Sequence, residues 1–328
     1  MKRAALFASI LLIVLAPACR RLAVRKEAVE LSYLPGDSLF VASMDVVRLR
    51  KAPLYGKIDS ESGQLKTFLL RLGIDPRKDL DQVTLAFRGS GTEPGEWLAL
   101  LRGRFDRARI EKGLEDPGAR MSVDTYRGKK IHGLVRVPDI GELSFAVIDP
   151  TAAALGKSTA IQRALDVRDH AVPSLERNET MKKLVTSLNP KAQVWAVLDG
   201  RELARLTSSR RQSLPGVLPE PAVRNLASVV DGRLAAIVSE DLGVTVEIDT
   251  MTEKSARNLA DAVRGILAFG KLGTQGRDPD SAAALETISV TDRGKIVNLR
   301  MDLPGDLFQR LRERFHPPNG AAKPTPGS

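Results

Sequence analysis

Gly243-Val244-Thr245-Val246-Glu247-Ile248-Asp249 alternates apolar and polar side chains from Val244 to Asp249 without a slip. Successive side chains of a strand point to opposite faces, so Val244, Val246 and Ile248 belong to a buried face and Thr245, Glu247 and Asp249 to a wetter one. That pattern marks a half-buried antiparallel strand rather than the continuous apolar run of a parallel sheet. Upstream, Gly232 to Ser239 (GRLAAIVS) reads as a second strand joined to the first by a short turn. Downstream, Thr250-Met251-Thr252-Glu253 has the spacing of a helix capping box. Beyond it Ala256, Leu259, Ala260, Val263, Ile266 and Leu267 recur at helical spacing, one apolar stripe expected to cover the sheet.

The same order of segments occurs earlier in the chain. Asp37 to Asp45 (DSLFVASMD) matches Lys191 to Asp199 (KAQVWAVLD) at an offset of 154, each strand following a Pro-containing turn. Gln82 to Gly89 matches Gly232 to Ser239 at 150, and Glu96 to Phe105 matches the stretch from Gly243 at 147. A helix capped by Asp106 and running through Glu115 corresponds to the one beginning near Thr250 to Thr252. Strands at Thr125 to Leu134 and Leu143 to Asp149 correspond to Leu285 to Thr291 and Lys295 to Asp302. Closing helices span Ser158 to Val167 and Gly305 to Phe315. Chance similarity would not hold this spacing, so the pattern predicts an internal duplication.

The expected fold class is α+β, with two similar halves, each a mostly antiparallel sheet with helices packed on one face. Residues 36–168 form the first repeat and 190–315 the second, with a linker and a helix at 169–189 and a disordered tail at 316–328. The hydrophobic fraction of 43% and charged fraction of 27% suit a globular body of this length. Aromatic residues make up 4%, and no clustered Lys/Arg face is visible, which argues against a stacking or phosphate-tracking surface. No nucleic-acid partner is expected.

Chemistry-bearing motifs are sparse. Gly156-Lys157-Ser158-Thr159 follows a strand and opens a helix, the context of a phosphate loop, but Thr151 stands where that motif needs its first glycine. Ser158 as a helix cap explains the same residues. Ser90, in Gly89-Ser90-Gly91, lacks the flanking glycines of a nucleophile elbow and reads as a hairpin turn. His132, His170 and His316 are far apart and have no cysteine partners, so neither a zinc site nor a triad has a local signature. Asp278-Pro279-Asp280 lacks the glycine and terminal glutamate of a calcium loop and reads as a helix-leading turn. No cofactor, metal or catalytic residue is assigned. The remaining enzymatic reading is a hydrolase with a dispersed site, for which Ser90, His132 and Asp149 are the candidate trio.

At the N-terminus, Lys2 and Arg3 precede an apolar segment, Ala4 to Leu15, too short to span a bilayer core of about 30 Å. Ala16-Pro17-Ala18 fits ordinary secretory cleavage, while Leu15-Ala16-Pro17-Ala18-Cys19 resembles the lipobox of bacterial lipoproteins. The resemblance implies a signal peptide over 1–18 and lipid attachment at Cys19. Cysteine arithmetic agrees, since the one thiol of an exported chain has no internal disulfide partner. Loss of Lys2 and Arg3 takes the formal charge from +10 to +8. Arg20, Arg21, Arg25 and Lys26, in a basic tether over 19–35, are placed to rest on anionic headgroups.

LPGDSLFVASMDVVRLRKAPLYGKI and LSFAVIDPTAAALGKSTAIQRALDV are similar to uncharacterised bacterial exported proteins with domains of unknown function. That resemblance implies export and carries no activity. The expectation is a non-catalytic cell-envelope lipoprotein, anchored to membrane lipid through Cys19. A protein or peptide partner would bind in the cleft or at the sheet edges between the halves.

Overall fold

The computed structural model describes residues 31–58, 69–89, 95–114, 122–133, 143–202, 204 and 228–315. Its strands are β1 (Phe40–Asp45), β2 (Leu80–Arg88), β3 (Glu96–Gly103), β4 (Ser122–Tyr126), β5 (Lys129–Gly133), β6 (Ser144–Asp149), β7 (Ala152–Gly156), β8 (Val194–Asp199), β9 (Val229–Val238), β10 (Leu242–Thr250), β11 (Ile288–Arg293) and β12 (Ile296–Leu303). The helices used below are α1 (Val46–Leu49), α2 (Pro53–Ile58), α3 (Arg107–Leu114), α4 (Ser158–Arg168), α5 (Glu179–Ser187), α6 (Glu253–Thr274), α7 (Pro279–Glu286) and α8 (Gly305–Phe315). The fold is α+β, and its strand pairings are antiparallel.

The strands form one sheet of twelve in the order β11-β12-β10-β9-β8-β1-β2-β3-β7-β6-β5-β4. Two sheets expected from the sequence are therefore continuous, joined where Val41 of β1 lies opposite Val197 of β8. Outward from this seam the chain runs β1-β2-β3 on one side and β8-β9-β10 on the other. Beyond β3 it adds four strands, beyond β10 two. Asp169 to Asn189, read as linker and helix, holds α5 and gives Leu175, Met181, Leu184 and Val185 to a buried cluster shared with Val41 and Val197.

Helices were expected on one face. The second half conforms, with α6 laying Ala256, Leu259 and Ala260 over Val297, Ile248 and Leu299. The first half has cover on both faces. Leu98, Leu100, Ala152 and Ala154 pack under α4 and α5, while Ala99, Leu101, Ala153 and Leu155 pack under Leu69–Ile74 and α3. Every residue of β7 is consequently buried, and its run of small apolar residues loses the alternation that would have revealed it as a strand. The expected strand over Thr125 to Leu134 is two, β4 and β5, turning at Arg127 (φ 45°) and Gly128 (φ 71°). Successive positive φ values are what a tight two-residue hairpin turn requires.

Cap positions also moved. Thr252, not Thr250, caps α6, its hydroxyl accepting from the Ser255 amide at 3.1 Å. Thr250 instead donates to the Lys295 carbonyl at 2.8 Å. Ile266 leaves the sheet-facing stripe and is 61% exposed, because α6 continues past the sheet it covers.

Candidate functional site

The buried cluster beneath α4 and α5 ends at Val197 and Trp195 of β8. Past that line the same face of β9, β10 and β12 carries no hydrophobic cluster among the described residues, and charged side chains (Asp231, Arg233, Glu247, Asp249, Arg300 and Asp302) stand on it around Ala235 and Ile237. Register fixes their layout. Asp199, Asp231 and Asp249 stand directly opposite one another across β8, β9 and β10. The next row places Val197, Arg233 and Glu247 side by side, and the one after it Trp195, Ala235, Thr245 and Arg300.

Like charges directly opposed on a sheet repel, so the aspartate row has to be compensated. Arg233 does much of this, with its Nη2 2.9 Å from Asp249 and its Nε 3.2 Å from Glu247. Its Nη1 donates to the Ser187 hydroxyl at 2.8 Å, tying the row to the end of α5. Asp199 is engaged by the backbone, accepting from the Arg201 amide at 3.1 Å. Asp231 sits between them. Burial, then its hydrogen bond with Asp249 and the charge of that neighbour, push the Asp231 carboxyl up to about 6. A carboxyl raised by burial and by a neighbouring aspartate is a common mark of a site under functional constraint.

Adjoining the row is a groove of about 380 Å³. Ser187 and Asn189 form its wall, and Ala235, Ile237 and Thr245 its floor. Arg233 with Glu247 closes one end, and Arg300 with Asp302, 2.7 Å apart, the other. Charge is balanced at both ends over a small neutral floor, which suits a polar or zwitterionic segment with its own donors and acceptors. Among the described residues no group of three or more His, Cys, Asp or Glu is arranged to hold a metal ion.

Among the described residues, the candidates His132 and Asp149 are not brought together. His132, 8% exposed, lies on β5 opposite Phe145. Asp149 is four residues further along β6, about 13 Å away, and accepts from the Thr151 amide and hydroxyl, each at 2.7 Å. Ser90 and His316 lie outside the described residues, as do Cys19, Arg20, Arg21, Arg25 and Lys26. His170 occupies the turn after α4 with φ 59°.

Gly156 ends β7 rather than opening a phosphate loop. A Cβ there would stand 2.6 Å from the Trp97 carbonyl oxygen, so strand packing explains the glycine. Lys157, not Ser158, holds the cap position of α4, and Thr159 donates to Glu96 at 2.6 Å, placing a carboxylate where a phosphate loop needs none. Asp278 caps α7 through the Ser281 amide at 3.1 Å, and Asp280 accepts from Arg310 of α8 at 2.8 Å.

No signal in the sequence singled out the aspartate row, because its members are separated by 32 and 18 residues and meet through strand register alone. No family model matches the chain, and no curated protein matches it. Among solved structures, crystal forms I and IV of TP0453 share 10% identity with it, at TM-scores of 0.46 and 0.47. Each alignment covers 86% of this chain and 95% of that one. A likeness of this degree assigns no role to any residue.

Proposed function

We propose that this chain is a non-catalytic cell-envelope lipoprotein that binds a peptide segment or small polar ligand in the groove between α5 and strands β9, β10 and β12. One observation carries the binding role: a charge-balanced groove on a sheet face that the hydrophobic clusters leave open, with Asp231 and Asp249 at its margin. The envelope reading is supported by the lipobox-like run ending at Cys19. Among the described residues no helix is long and apolar enough to cross a membrane, so firm membrane attachment would fall to the acyl chains at Cys19.

Affinity capture from solubilised envelopes, run in parallel with the parent chain and Thr245→Trp, tests the groove. A species retained by the parent and lost when tryptophan fills the floor supports it; identical capture by both refutes it. Fractionation tests the anchor, since Cys19→Ser should leave the membrane fraction. A hydrolase built on Ser90, His132 and Asp149 lacks the contact between His132 and Asp149 that a general base and its orienting carboxylate need.

A further inference from the structure

The sheet ends at β11 on one side and at β4 on the other, and an edge with free N–H and C=O groups is a template for another strand. Register shows which groups of β11 are free. Lys295, leading into β12, accepts from the Thr250 amide of β10 at 2.9 Å. Backbone groups alternate between the two sides of an antiparallel strand, so those of Leu299 also turn toward β10. Val290, opposite Leu299, therefore points its own N–H and C=O outward, and Ile288 and Asp292 do the same. Isoleucine, valine and threonine at 288, 290 and 291 suit a strand. An antiparallel copy of β11 centred on Val290 would find all three outward residues in phase for pairing.

Arg264 of α6 already occupies the middle of that edge. Its Nε donates to the Val290 carbonyl at 3.3 Å and its Nη2 to the same oxygen at 3.1 Å. A carbonyl has two lone pairs, so none is left for an incoming amide. Nη2 also stands 2.7 Å from Asp292 on the same strand, and Nη1 2.8 Å from Asp261 on the helix, which fixes the guanidinium along the edge. The Arg264 side chain is 43% exposed, and ion pairs in so wet a place add little to stability. Their evident effect is to hold two donors on the one outward carbonyl at the centre of β11. We infer that Arg264 is an autoinhibitory contact, closing the outer edge of β11 against the same strand of a second copy of the chain.

The test is sedimentation equilibrium of the full chain, comparing the parent with Arg264→Met, which keeps an apolar stem and removes every donor. The variant should associate with itself at least about tenfold more tightly than the parent, with an unchanged circular dichroism spectrum. Val290→Pro removes the outward amide and no bond to β12, so adding it to Arg264→Met should return association to the parent level. A variant that associates no more than the parent overturns the inference. So does a gain that survives Val290→Pro, because the contact then lies elsewhere than the β11 edge. Should Arg264→Met disturb the fold, Arg264→Gln, a polar side chain two atoms shorter, is read in its place against the same outcomes.

Discussion

Asp231 shows how much of this protein's behaviour is set by single positions. Its carboxyl titrates near 6 in the folded chain against an ordinary 3.8, so the native state holds that proton more tightly than the unfolded one. Stability contributed by this group is therefore full below about pH 4 and is lost as the pH climbs through 6. Asp231→Asn keeps the shape and removes the charge. With solvent screening taken into account, it should stabilise the chain by about 1 kcal/mol at pH 8 and leave it unchanged near pH 3. Urea titrations at the two pH values measure the difference, and an equal gain at both would contradict the assignment. At Gly156 the argument is steric. An alanine methyl group 2.6 Å from the Trp97 carbonyl forces β7 away from β3, which should cost about 1–3 kcal/mol in the same denaturant measurement.

At the scale of elements, α6 illustrates where periodicity is informative and where it stops. Its start was legible within two residues, and Thr252 supplies the cap. Thr252→Ala should lower stability by about 1 kcal/mol, read as a shift of the urea midpoint with an unchanged slope. The stripe from Ala256 to Leu267 predicted the sheet-facing side but misassigned Ile266, because a helix longer than the sheet beneath it leaves the pattern unsupported at its end. Strands with one wet face, such as β10, announced themselves by alternation. Buried on both faces, β7 did not, and no strand was read over Ala152 to Gly156.

Across the whole molecule, the seam between β1 and β8 makes one sheet of the two that the sequence pattern predicts. Val41 and Val197 meet in a cluster that also takes Leu184 and Val185 from α5, so hydrophobic contact runs uninterrupted from one half into the other. We predict a single cooperative unfolding transition by calorimetry, with equal calorimetric and van't Hoff enthalpies. Two resolved transitions would show that the seam does not couple the halves. Hydrogen exchange should find β1 and β8 among the slowest strands, since central strands open only with global unfolding.

The sequence by itself determined the fold class, the antiparallel character of the strands and most helix positions. All of these follow from periods of two and 3.6 residues read over a few turns of chain. Tertiary structure alone decided the joining of the sheets, the double cover of the first half, and the register that aligns Asp199, Asp231 and Asp249. Those outcomes depend on which distant segments pair and in what phase, and a shift of one residue would turn every side chain of a strand to the other face. The aspartate row and its groove exist in that phase relation, which local patterning does not encode.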